Sequence, residues 1–287
     1  MNKEDIKRDF ILLNAGYASH NADWNWKNVC SPFARIHFVK SGTAKIVREN
    51  GVYELKAGHL YLTPSYVRHA YECEGLLELY YLHIYEDLGK NPSIFEVISF
   101  PVEIEADPLI IRLIERLIEI NPECGLQYYD PRSYDNSVTL ADNIAKQSNG
   151  PIACELETRG ILMQIVSRFL VKAEYRNGHI EKRILKTLHY IHKNIENAID
   201  IDHLAEICYL TKDHFIRLFK KEMNCTPGKY INRKKIETAQ LRLLINGMTI
   251  KDTAYSLGFD NVAYFNRLFK NITGESPGDY KKKIQPR

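Results

Sequence analysis

The sequence predicts an α+β chain: a small β-barrel or sandwich with added helices, then an all-α domain with two helix-turn-helix units joined by a long helix. Three observations carry that prediction. Between Phe33 and Ile84 apolar and polar residues alternate in short runs broken by turn residues. From Asp107 the apolar spacing becomes helical. Beyond residue 200 a segment repeats at an offset of 50. A length of 287 residues leaves room for about two such units.

The strands come first. Arg35-Ile36-His37-Phe38-Val39 closes at Ser41-Gly42, and Ala44-Lys45-Ile46-Val47 closes at Asn50-Gly51, a dipeptide that favours a tight hairpin turn. His59-Leu60-Tyr61-Leu62 lies between Gly58 and Pro64, and Glu78 to Ile84 follows. Many short strands with regular turns indicate a small barrel or sandwich. Strand alternation puts Arg35 with His37, His69 with Tyr71, and Tyr81 with His83 on shared faces. Trp24 and Trp26 precede the barrel, to close its mouth or pack on its outside.

Asp107-Pro108 reads as an N-cap followed by proline in the first turn. Leu109, Ile110, Leu113, Ile114, Leu117 and Ile118 then share one helical face. A second apolar helix runs from about Glu155 to Glu174, with Leu156, Ile161, Leu162, Ile165, Val166, Phe169 and Leu170. Both helices suit the barrel's core and a dimer interface. The tyrosine-rich stretch Gln127 to Gly150 is too long for a simple connection and receives no role. Tyr175 to His179 reads as a linker. The expected organisation is a sensor barrel over 1–105, a helical region over 106–174, a linker over 175–179 and the repeat domain over 180–287.

His214-Phe215-Ile216-Arg217-Leu218-Phe219-Lys220 and Tyr264-Phe265-Asn266-Arg267-Leu268-Phe269-Lys270 agree at five of seven positions. Pro227, Gly228 and Tyr230 pair with Pro277, Gly278 and Tyr280, and Ile201 and Ala205 with Ile250 and Ala254. Each copy reads as helix, tight turn, helix, with a small alanine where the helices cross. Thr211 caps the second helix of the first copy, Gly258 ends the first helix of the second copy, and Asp260 or Asn261 caps the next. A long helix from about Ile231 to Leu244 joins the copies, and Ile180 to Ile195 precedes them. Phe215, Leu218 and Phe219 face the core, as do Phe265, Leu268, Phe269 and Ile272. The opposite face carries Asp213, Ile216, Arg217 and Lys220, then Ala263, Asn266, Arg267 and Lys270. Arginine, asparagine, lysine and small apolar groups on a helix after a sharp turn suit base edges, phosphates and thymine methyls. With Lys212 and Asn261, these form the expected face for double-stranded DNA.

Charge agrees with that division. The net charge of +3 hides 20 Lys+Arg against 12 Asp+Glu in residues 181–287, and 19 against 24 in residues 1–180. A basic end joined to an acidic part expects an anionic partner at one end only. Hydrophobic residues at 45% and charged residues at 26% exclude wholesale disorder. No apolar run approaches the roughly 18 residues of a membrane span, and Met1 to Phe10 lacks a signal peptide's uninterrupted apolar region. Six cysteines without a Cys-x-x-Cys pair form neither a disulfide framework nor a structural zinc site, so a reducing, cytoplasmic setting is expected.

The C-terminal hundred or so residues resemble the AraC/XylS family of bacterial transcription regulators. The resemblance rests on Ile250 to Ala254, Gly258-Phe259, Tyr264 to Lys270, and Gly274-Glu275-Ser276-Pro277-Gly278-Asp279-Tyr280. It implies two helix-turn-helix units on one side of DNA, reading successive major-groove segments. A homodimer and contact with RNA polymerase are the accompanying expectations. Thr211 stands where the family usually has serine and still suits a cap. The N-terminal half resembles the family's cupin-like sensor barrel: Gly58, Pro64 and His69 fit the second cupin motif, with Tyr66 where glycine is preferred. The first motif is absent, Val47-Arg48-Glu49-Asn50-Gly51 standing in its place. His69 alone remains of the usual ligand set, although His37, His59 and His83 offer a rebuilt metal site. No cofactor is therefore expected; a metal-dependent cupin enzyme with a DNA-binding appendage is the alternative. The resemblance implies a small-molecule effector inside the barrel, with Trp24, Arg35, His37, His69, Tyr71, Tyr81 and His83 as candidate contacts. Histidine, tyrosine and aromatic faces suit a sugar, and Arg35 suits a carboxylate.

Overall fold

The computed structural model describes residues 9–87, 91–135, 151–173, 181–245 and 248–284. The strands are β1 (Asp9–Asn21), β2 (Trp26–Val29), β3 (Ala34–Gly42), β4 (Ala44–Arg48), β5 (Gly51–Leu55), β6 (His59–Thr63), β7 (His69–Glu72), β8 (Leu76–Asp87) and β9 (Glu103–Glu105). They form two antiparallel sheets, one in the order β1-β8-β3-β6-β9 and one in the order β2-β7-β4-β5. The Asn50-Gly51 turn joins β4 to β5 as expected. The barrel begins earlier than the alternation indicates, because β1 pairs along β8 from Asp9↔Asp87 to Asn21↔Leu76. Strands β2 and β9 were likewise not anticipated.

β3 lies between β8 and β6 and is buried on both faces from Ala34 to Val39. Ala34, Ile36 and Phe38 join Leu60, Leu62, Leu82 and Ile84 in an apolar layer covered by helices. The alternate residues Arg35, His37 and Val39 face the other way, beside Tyr61, Tyr81 and His83. The covering helices are α1 (Ile94–Val97), α2 (Pro108–Ile120) and α4 (Ile152–Val171), while the single turn α3 (Pro131–Tyr134) lies on the Arg35 side. Asp107 caps α2 by accepting from the Ile110 amide, as its sequence predicts. Ile110, Ile114 and Leu117 of α2 meet Ile161, Leu162, Ile165, Val166 and Phe169 of α4 in this core. Leu109 and Leu156, expected on the buried faces, are exposed.

Helices α5 (Lys182–Lys193), α6 (Ile201–Ile207), α7 (Lys212–Met223), α8 (Pro227–Ile245), α9 (Ile250–Ser256), α10 (Val262–Thr273) and α11 (Pro277–Ile284) complete the chain. The two turns match: the Leu210 amide donates to Ala205 and the Phe259 amide to Ala254, at 3.0 and 3.1 Å. Both alanines are buried at the helix crossings. The residue before each turn's amide donor has positive φ, +55° at Tyr209 and +68° at Gly258. Glycine is required in the second copy, because a Cβ there would sit 3.0 Å from the backbone of Glu196 and Asn197. The first unit shares the barrel's apolar core through Phe215, Phe219, Met223 and Tyr230, whereas the second builds a separate core around Ile236, Leu243, Phe265 and Phe269. The expected linker, 175–179, lies outside the described residues. No helix among the described residues is long and apolar enough to cross a membrane.

Candidate functional site

Two regions carry the residues singled out by the sequence. On α7, Lys212, Asp213, Arg217 and Lys220 are exposed, with His214 beside them. On α10, Ala263, Asn266, Arg267 and Lys270 are exposed on the equivalent face. Arg267 stacks its guanidinium 5.7 Å from the Tyr264 ring, which holds it over the outer face. Local contacts engage three of the expected positions. Ile216 is half-buried and packs on the apolar core. Lys212 pairs with Asp202 of α6 at 2.9 Å. Asn261 spends its side-chain oxygen as the cap of α10, accepting from the Ala263 and Tyr264 amides at 2.8 and 3.1 Å. Thr211 holds the corresponding position of α7 but makes no side-chain cap hydrogen bond.

Inside the barrel, register brings the other set together. Arg35 is opposite His83 on β8 and Thr63 on β6, and His37 is opposite Tyr81 and Tyr61. From the second sheet come His69 and Tyr71. All seven candidates, Trp24 included, are buried. Trp24 neither closes the mouth nor packs outside: it stacks on Tyr71 at 4.0 Å and meets His37 edge-on at 5.3 Å, inside the barrel. His59 is not part of this group and lies 3.7 Å from Glu103 at the sheet edge. Among the described residues no three His, Cys, Asp or Glu side chains are grouped to hold a metal ion.

Burial beside Arg35 favours neutral histidines, and the hydrogen bonds of His69 and His83 suit that state. His69 Nδ1 donates to the Val67 carbonyl at 2.8 Å, leaving Nε2 to accept from the Tyr71 hydroxyl at 2.9 Å. Burial, with Arg35 nearby, pushes its pKa down to about 3. His83 Nε2 faces Arg35 Nη1 at 3.2 Å and must accept, so Nδ1 donates to Asn14 Oδ1 at 3.2 Å. Burial and the Arg35 charge hold His83 and His37 well below the ordinary histidine value. His37 Nδ1 has no hydrogen-bond partner among the described residues.

Arg35 itself is only 1% exposed. Nη1 donates to the Tyr134 hydroxyl at 2.7 Å, and Nη2 to both Asp135 carboxylate oxygens at 3.0 and 2.8 Å. Ser31 Oγ lies 2.5 Å from both Arg35 Nη2 and Asp135 Oδ2. Burial alone would weaken the arginine's proton affinity; Asp135 and Tyr134 more than compensate, and it stays charged. Sequence reasoning missed Asn14, Ser31, Tyr134 and Asp135. The signal for the last two was the tyrosine-rich stretch whose length exceeds a connection.

Between the barrel and the helical domain runs a cleft of about 430 Å³, lined by Tyr66, Tyr85, Phe95, His192, Lys234 and Leu241 among others. At its edge Glu96 of α1 and Glu237 of α8 share the ammonium of Lys234. Arg68, in the loop before β7, donates to the Thr273 carbonyl at 3.3 Å, the C-terminal end of α10.

A β-barrel with a polar, aromatic interior joined to a duplicated helix-turn-helix defines a two-domain DNA-binding regulator. Residues 10–127 match the AraC-like ligand binding domain, and residues 204–283 match a helix-turn-helix domain. The Msm operon regulatory protein of Streptococcus mutans is 22% identical over 259 residues, 87% of this chain and 84% of that protein. The bifunctional transcriptional activator/DNA repair enzyme AdaA of Bacillus subtilis is 33% identical over 93 residues, 32% of this chain. An HTH-type transcriptional regulator of Haemophilus influenzae is 27% identical over 124 residues, 43% of this chain. The chain spans less than half the length of these last two, 44% and 42%. A crystal structure of apo ToxT from Vibrio cholerae shares the fold over 95% of this chain and 98% of that one, with a TM-score of 0.51 at 14% identity. The chain belongs to the AraC family of transcription regulators.

Proposed function

We propose that the chain is a cytoplasmic transcription regulator that reads duplex DNA with α7 and α10 and senses a small polar effector, a sugar or small carboxylate, in its barrel. The observation that carries the DNA reading is the recurrence of Arg217 and Lys220 as Arg267 and Lys270, all exposed, on helices that follow matching turns. A domain boundary near residue 105 fits the shift from strands to helices after β9, and one near residue 180 falls just ahead of α5. The exposed apolar positions Ile152 and Leu156 on α4, 74% and 61% accessible, support a homodimer, which sedimentation equilibrium reads directly. A monomer at every concentration removes that part. Activation would add contact with RNA polymerase.

The test is a pair of substitutions in the full chain. Arg217→Ala and Arg267→Ala should each weaken specific binding by about 1–3 kcal/mol and relax specificity at different base pairs, about one helical turn apart. Binding-site selection that places both losses on one base pair contradicts the reading. Loss of affinity without loss of specificity reduces both residues to phosphate contacts. A thermal-shift screen of the wild-type chain against sugars and small acids tests the sensor, since a ligand of the folded state raises apparent stability.

A further inference from the structure

Arg35 lies in β3, yet its guanidinium is completed by residues a hundred positions later. Nη2 meets both oxygens of Asp135, Ser31 supplies a hydroxyl to the same carboxylate, and Nη1 meets the Tyr134 hydroxyl. The rings of Phe33 and Tyr134 flank the guanidinium at 5.0 and 5.2 Å. A two-oxygen contact from arginine, one hydroxyl and two aromatic walls make a built carboxylate site. Its occupant belongs to the chain itself, at the end of α3. A helix of one turn has no stability of its own and stays where Tyr134 and Asp135 are held.

We propose that Arg35 is the anchor for a carboxylate-bearing effector and that Asp135 occupies this anchor in the effector-free chain. The proposal rests on the barrel being a sensor and names its ligand class. A neutral sugar could not take the place of Asp135, because Arg35 would be left as a buried, unpaired charge. An external carboxylate exchanges one anion for another, and Asp135 moves toward water with α3. The consequence reaches the helical domain: Tyr134, Leu13 and Phe33 form a small cluster against which Leu241 of α8 and Tyr280 of α11 pack. Displacing α3 therefore uncovers two side chains of the DNA-binding half.

The experiment restores the missing carboxylate from solution. In full-length Asp135→Ala, melting temperature should fall by about 5–10 °C. Acetate should restore most of that loss saturably, whereas acetamide, chloride and phosphate at equal ionic strength should not. Adding Arg35→Ala should abolish the acetate response. If Asp135→Ala does not fold, refolding yield in acetate against chloride gives the same comparison. Equal behaviour in acetate and acetamide, or equal rescue by phosphate, overturns the carboxylate anchor. If the wild-type screen still yields an effector, that failure sinks the anchor and not the sensor. Rescue by acetate, with only neutral ligands shifting the wild-type chain, makes Arg35–Asp135 a structural bridge and also overturns the proposal.

Discussion

His37, His69 and His83 share one physical situation: each is buried beside Arg35, and each is neutral in the fold. Their pKa values lie below the unfolded value of about 6.5, so the unfolded chain takes up protons first as pH falls. Stability is therefore complete above about pH 7.5 and declines from pH 6.5 toward pH 3. A histidine held neutral in the fold contributes a slope of at most about 1.4 kcal/mol per pH unit between its folded and unfolded values. His83→Gln should remove one such slope while a glutamine amide still reaches toward Asn14. Denaturant titrations at pH 7.5, 6 and 5 check this; an unchanged slope in the variant would mean that His83 is not held neutral. Alternation alone showed that these histidines and Arg35 share the barrel's inner faces. It could not show that Asp135 pairs with Arg35, because nothing local in the sequence aims a residue a hundred positions away.

Among the elements, the helix-turn-helix units were the most legible, since duplication gives two independent readings of one geometry. Strand β1 was the least legible, and the reason is physical. Its middle, from Leu12 to Gly16, mixes Asn14 and Gly16 into a run buried on both sides, so period-two alternation is lost. Gly16 reads as a strand breaker but is a packing site: a Cβ there would lie 2.4 Å from the Tyr81 hydroxyl, which turns to receive the Leu126 amide. The repeat itself hides one asymmetry. Asn261 caps α10 with two hydrogen bonds, whereas the Thr211 side chain makes none at α7. Asn261→Ala should cost about 1 kcal/mol of stability and Thr211→Ala only a few tenths. Equal losses in equilibrium unfolding would show that the two caps are equivalent in solution.

On the scale of the whole molecule, the two halves meet through charge as well as through apolar packing. Lys234 of α8 is buried between Glu96 from the barrel side and Glu237 from its own helix. Around Glu96 stand His192 at 3.9 Å, Arg233 at 3.7 Å and the Tyr230 hydroxyl at 3.1 Å. Burial pulls both carboxyls upward; the surrounding cations hold Glu96 below its ordinary value, while Glu237 remains above it. Lys234→Met keeps the volume and removes the shared cation, leaving two buried carboxylates beside the half-exposed Arg233 and the largely buried His192. At least one carboxyl must then have a folded pKa raised further above the ordinary value of 4.5. A carboxyl raised in this way favours the fold at low pH, and that support is lost as pH rises through the raised value. The deficit of Lys234→Met relative to wild type should therefore be about 3 kcal/mol at pH 7.5 and clearly smaller at pH 5. Wild type runs the other way, losing stability on acidification through its histidines, so the two pH curves should converge. Parallel curves from denaturant unfolding at pH 5, 6 and 7.5 would show that Lys234 does not neutralise the pair across this interface.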